Sequence, residues 1–193
     1  MRWWVKTRRA HTALPASLMA FLIMAVAIQD SLAALPSVTN NVDPVPLMLF
    51  VPLPLVIGLM YCLDSRLDGP EISSFRRVRL LDVGMVLVTV AIVEAISLIL
   101  GHLLHSVQMA TTGRNTAFLV GMMLFVRALV GQPAVLAPVV WVVIVLLFGF
   151  QIGNEPYAWT ILPQASNSLN AGTISIAVLV IGIGAQTYSR KVA

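Results

Sequence analysis

Six apolar runs, at roughly 14–34, 46–63, 82–104, 116–131, 134–152 and 172–188, take up most of the 193 residues. A helix of about 20 residues, rising about 1.5 Å per residue, matches the roughly 30 Å hydrocarbon core of a bilayer. Backbone in hydrocarbon must satisfy its own hydrogen bonds, so runs of this length read as helices. Composition agrees: the chain is 59% hydrophobic and 10% charged, with a mean hydropathy of +0.92. A soluble fold would have too little polar surface to cover such a core. The expected fold is an all-α integral membrane protein, residues 1–193 forming a single transmembrane domain of six helices.

The positive charges orient it. With the amino terminus inside, Arg2, Lys6, Arg8, Arg9, Arg66, Arg76, Arg77, Arg79, Arg127, Arg190 and Lys191 are cytoplasmic. Arg114 alone is external, so eleven of the twelve Lys and Arg residues share one side. By the positive-inside rule both termini are cytoplasmic and the number of spans is even, as in a multi-pass protein of the plasma membrane. The pI near 9.8 would also suit a nucleic-acid partner. These charges border apolar runs rather than forming a patch, so no nucleic acid is expected. Arg8-Arg9, the first apolar run and Ser31-Leu32-Ala33-Ala34 resemble a secretory signal peptide, but Gln29 and Asp30 interrupt the run, and a retained first span is preferred.

Within the spans, Pro52 and Pro54 should kink the second or break its first half. Gly131-Gln132-Pro133 reads as a tight cytoplasmic hairpin between the fourth and fifth. Gly149 and Gly153 form a small-xxx-small step suited to close helix contact. The lone Cys62 cannot form an internal disulfide, and no metal-ligating set surrounds it; it reads as a small apolar residue near the inner end of the second span.

Two connections carry pattern. In 64–81, Ile72, Phe75, Val78 and Leu81 recur every third residue, flanked by Arg76, Arg77 and Arg79. That is an amphipathic cytoplasmic helix, started by Pro70 and Glu71. It either holds anionic lipid or docks a cytoplasmic partner. The external stretch 153–171 holds Tyr157, Trp159, Ile161 and Leu162, too apolar for a solvated loop. It is expected to lie on the outer leaflet or dip into it as a re-entrant-like segment.

Ionisable residues inside spans are the remaining candidates. Glu94 falls mid-way along the third span, where a charge costs about 2.5–3.5 kcal/mol on insertion scales. At 100° per residue, Glu94, Ser97, Gly101 and His105 share a face, with His102 to its side. This face reads either as a polar path or as a protonated glutamic acid packed between helices. Asp82 and Arg127, at the inner ends of adjacent antiparallel spans, could pair, as a structural rather than a catalytic contact.

No motif supports catalysis, and no catalytic or metal residue is assigned. Asp64, Asp68, Gly69 and Asp82 superficially resemble the aspartate motif of CDP-alcohol phosphotransferases, but the first two acids are one residue too far apart. There is no His-Glu-x-x-His, Gly-x-Ser-x-Gly or P-loop sequence either. Any ATP-driven work would need another polypeptide.

Several features together resemble the small permease subunits of ABC-2-type exporters: the basic start Met1–Arg9, the amphipathic segment at about 70–79, and the external segment at about 155–170. Gly113-Arg114-Asn115, Arg127-Ala-Leu-Val-Gly131 and Tyr157-Ala158-Trp159 before Leu162-Pro163 add to the resemblance. It implies that 70–79 is a coupling helix, with Ile72, Phe75, Arg76, Arg77, Val78 and Arg79 docking a P-loop ATPase. It also implies short re-entrant helices within 155–170 and a second permease subunit, in a homo- or heterodimer. ATP and Mg would sit on the ATPase, with no cofactor in this chain. An apolar, peptide-like or lipid-like cargo would suit the lack of a charged pocket. The other readings are a channel-like or accessory membrane protein that stabilises or regulates a larger complex, and a membrane enzyme or proton-coupled carrier.

Overall fold

A computed structural model describes residues 9–29, 31–33, 44–65, 75–151 and 155–188, with backbone alone at 75–79. Among them run six α-helices: α1 (Ala10–Ala27), α2 (Leu53–Asp64), α3 (Phe75–Leu103), α4 (Val107–Val130), α5 (Leu136–Phe148) and α6 (Leu169–Tyr188). An antiparallel pair, β1 (Leu32–Ala33) with β2 (Val45–Pro46), sets Leu32 opposite Pro46 and Ala33 opposite Val45. Five segments are long and apolar enough to cross a membrane, and Gln132–Phe148 is a shorter apolar helix. The chain is an all-α, multi-pass membrane protein.

Each departure from the expected spans has a local cause. The first helix stops at Ala27 rather than running to residue 34: the Ser31 amide turns back onto the Ile28 carbonyl, and the Leu47 amide bonds Ser31. The prolines break the second span as expected. Leu47–Phe50 is a 3-10 turn, and α2 starts only after Pro52, with Pro54 in its first turn, where a missing N–H costs nothing. From Phe75 on, the amphipathic segment is not separate from the third span, and its start at Pro70 and Glu71 lies outside the described residues. Nothing after Phe75 breaks the helix, so α3 runs unbroken for 29 residues to Leu103. The fourth span begins well before 116, because Ser106 caps the helix and accepts from the Met109 amide at 3.3 Å.

α4 lies at the centre. The unbroken run 112–121 is buried, as expected of a helix covered on all sides. Its most extensive neighbour is α6, then α3, while α1 packs mainly on α2. The α4–α6 crossing needs glycine: a Cβ on Gly121 would lie 2.6 Å from the Leu179 Cα, and one on Gly182 would press on the Gly121 backbone. Gly149 ends α5 and faces Thr160 of the following loop, not a helix; Gly153 lies outside the described residues. Cys62 is fully buried.

The expected re-entrant helices between α5 and α6 do not form in the described part of that segment. Residues 155–168 are a chain of turns, closed by the Phe150–Pro156 bridge and by amide bonds from Thr160 to Tyr157, Gln164 to Ile161 and Ser168 to Ala165. Thr160, Ile161 and Leu162 are nonetheless buried.

Candidate functional site

Irregular backbone inside a membrane protein needs donors from elsewhere in the chain. Two adjacent residues of α4 supply them. Arg114, 9% exposed, donates from Nη1 to the Ala165 carbonyl at 2.9 Å, and from Nη2 to Gln164 at 2.7 Å and Ile161 at 3.3 Å. Asn115, 3% exposed, donates from Nδ2 to the Leu162 carbonyl at 2.9 Å. The planar guanidinium fork suits several acceptors at once, and charged donors make the stronger bonds. Together they clamp 161–165 against the amino-terminal half of α4. An aromatic chain supports the clamp: Phe118 of α4 lies 5.7 Å from Trp141 of α5, which meets Trp159 of the loop edge-on at 6.2 Å.

This half of α4 can be polar and still buried because its hydroxyls fold back on the helix. Thr111 and Thr112 donate to the Gln108 carbonyl, and Thr116 to that of Thr112. Side-chain satisfaction is incomplete, however. Ser97 Oγ, Gln108 Oε1, Arg114 Nε and Asn115 Oδ1 are buried without a hydrogen-bond partner among the described residues. Each such group is costly to leave unpaired in a low-dielectric interior. Beside the clamp is a cavity of about 90 Å³, lined among others by Met48, Gln108, Asn115, Leu162 and Gln164.

Glu94 enters the same region from α3. It faces Gly113, where a Cβ would lie 2.8 Å from the Glu94 Cα, so the missing side chain admits the acid against α4. Ser97, one turn on, is fully buried. Gly101 likewise admits Ala110, whose amide nitrogen would lie 2.9 Å from a Cβ there.

His105 does not continue this face. α3 ends at Leu103, and His105 follows it with a φ of 52°. The Ser106 amide bonds the Gly101 carbonyl at 3.1 Å and the His105 amide that of His102 at 3.4 Å, the paired bonds of a Schellman cap. His105 thus occupies the left-handed position that usually holds glycine, and its ring is exposed.

A second cluster lies at the opposite end of α4. The Arg127 guanidinium pairs with Asp64 at the end of α2, Nη2 to Oδ1 at 3.0 Å, and donates to the Leu63 carbonyl at 2.9 Å. Asp82, which the sequence placed where it could pair with Arg127, is buried near the start of α3. Arg9 donates to the Tyr61 hydroxyl at 2.6 Å, with its guanidinium 6.0 Å from the ring centre. Of the expected docking residues, Ile72 lies outside the described residues. Phe75, Arg76, Arg77, Val78 and Arg79 form the first turns of α3, in line with the span.

The sequence did not single out Arg114 and Asn115 as a clamp or Asp64 as the Arg127 partner. The available signal was the one arginine expected outside, followed by an amide in an otherwise apolar run. Comparison with known families, curated proteins and solved structures finds no match.

Proposed function

We propose that the chain is the membrane permease subunit of an ATP-driven ABC-2-type exporter. In this reading it crosses the plasma membrane six times, with both termini cytoplasmic, and works as a dimer with cytoplasmic P-loop ATPase subunits that carry ATP and Mg. The sixth crossing would be Gln132–Phe148. The 13 residues of α5 rise about 20 Å at 1.5 Å each. The four-residue 3-10 turn before it adds about 8 Å, close to the roughly 30 Å needed.

The observation that carries the reading is α4 itself. One unbroken helix is tied at one end to Asp64, next to the basic connection, and at the other to the 161–165 loop. Force applied at the connection would reach the loop through a single rigid element, as a transporter driven from one face requires. An accessory protein would have no such need.

Affinity purification from native membranes in mild detergent tests the proposal. A co-purifying P-loop ATPase, with hydrolysis that depends on this chain, is the expected result. Purification without any ATPase would remove the exporter reading. For topology, single cysteines at Glu155 and Tyr188 in a Cys62→Ala background should label from outside and from inside, respectively. The reverse pattern would overturn the orientation.

A further inference from the structure

Arg114 has a rival partner beside it. Its Nη groups are engaged by three neutral carbonyls of the loop, while its Nε is buried and unpaired. Glu94 stands across from the preceding residue, Gly113, with no side chain between it and α4. Yet no hydrogen bond or ion pair joins the Glu94 carboxylate to a described residue. The unpaired Ser97 hydroxyl lies one turn from Glu94 on the same helix. A carboxylate and a guanidinium held apart in a poorly solvated site form an uncommon arrangement, because their direct bond is stronger than either makes with a neutral partner.

We propose that Arg114 alternates between two sets of partners: the 161, 164 and 165 carbonyls, which hold the outer loop closed, and the Glu94 carboxylate, which releases it. The closed state is the one observed. It gains the Asn115–Leu162 bond and the Trp141–Trp159 contact in addition to the arginine bonds. In the released state the ion pair offsets the loss of those bonds, so Glu94 lowers the cost of opening. Release would uncover Thr160, Ile161 and Leu162, now 0%, 7% and 1% exposed. The exchange belongs to this chain alone and does not rest on the exporter reading, so it can be measured without an ATPase.

The test uses the purified full chain in nanodiscs, in a Cys62→Ala background with Ile161→Cys, and reads the rate of maleimide labelling. Glu94→Gln should slow labelling by about tenfold, the ratio expected when a charged acceptor becomes neutral at a difference of about 1.4 kcal/mol. Arg114→Gln should speed it, because the closed loop loses its donors. In the Arg114→Gln background, Glu94→Gln should have no further effect, since Glu94 acts only through Arg114. A purely structural Glu94 predicts the opposite sign: its replacement would loosen the packing and speed labelling. Labelling as fast as or faster than the parent in Glu94→Gln would overturn the exchange. So would a Glu94→Gln effect that persists without Arg114.

Discussion

Arg127 of α4 and Asp64 of α2 form a 3.0 Å ion pair across 63 positions of sequence, with side chains 9% and 22% exposed. The same guanidinium takes the Leu63 carbonyl. Asp64 lies at the carboxyl end of α2, where free carbonyls and the helix dipole already favour a cation. Arg127 therefore meets a charge, a carbonyl and a dipole of one sign together. This site, more than sequence spacing, explains why Asp64 is its partner.

Removing either member of the pair should destabilise the protein by stranding a partly buried charge. Arg127→Gln and Asp64→Asn should each lower the thermal unfolding midpoint in detergent. The double variant should be no worse than the poorer single variant, giving a coupling of about 1–3 kcal/mol. Strictly additive losses would show that the pair contributes nothing as a pair.

The positions of the helices were legible because burial in lipid demands long apolar runs, and the two prolines of 46–63 signalled that its first half would kink or break. The ends were not legible where side chains override hydropathy. Ser106 starts α4 inside a polar stretch because a hydroxyl can cap a helix, and α3 absorbs Phe75–Arg79 because nothing there stops it. The clamp was hidden for a different reason. Its acceptors are backbone carbonyls at 161–165, which no residue type announces, and its donors lie about fifty positions away. Only Arg114, the one arginine expected outside, hinted at it.

The α4–α6 crossing makes a sharp steric prediction. A methyl at Gly121 would intrude on the Leu179 and Val178 backbone, which cannot swing aside as a side chain tip can. Gly121→Ala should cost about 1–3 kcal/mol through overpacking, visible as a lower unfolding midpoint. Gly184, on the same α6 but with nothing within 4 Å of its would-be Cβ, is the control. Gly184→Ala should be neutral or stabilise by about 0.5–1 kcal/mol through helix propensity. Equal effects at the two sites would mean that close approach is not what holds these helices.

His105 should behave as a strained cap rather than as a functional histidine. A left-handed residue with a Cβ costs about 1–2 kcal/mol relative to glycine, and His105 holds φ at 52°. His105→Gly should therefore raise the unfolding midpoint and leave activity in place. His105→Val, β-branched and poorly suited to that region, should lower it. A loss of activity in a stabilised His105→Gly protein would return the imidazole to the list of working groups.

The ATPase-docking surface carries the last prediction, and it rests on the proposed exporter function. With α3 continuous from Phe75, the docking residues Phe75, Arg76, Arg77, Val78 and Arg79 would project from the inner end of a membrane helix. A partner pressing there would act directly on α3, and through α3 on the Glu94–Gly113 contact with α4. Buried aromatic anchors tend to dominate such interfaces, while rim charges mainly set the on-rate. Phe75→Ala should then weaken ATPase binding by roughly 2 kcal/mol or more. Replacing Arg76 and Arg77 with Gln should weaken it less, chiefly through slower association that worsens with salt. A lipid-binding segment predicts the reverse order, each arginine being worth about 1 kcal/mol at an anionic surface. Titration of the ATPase onto nanodisc-embedded variants, with neutral and anionic lipid compared, separates the two. Full ATPase binding and stimulation by Phe75→Ala would show that the docking assignment is wrong.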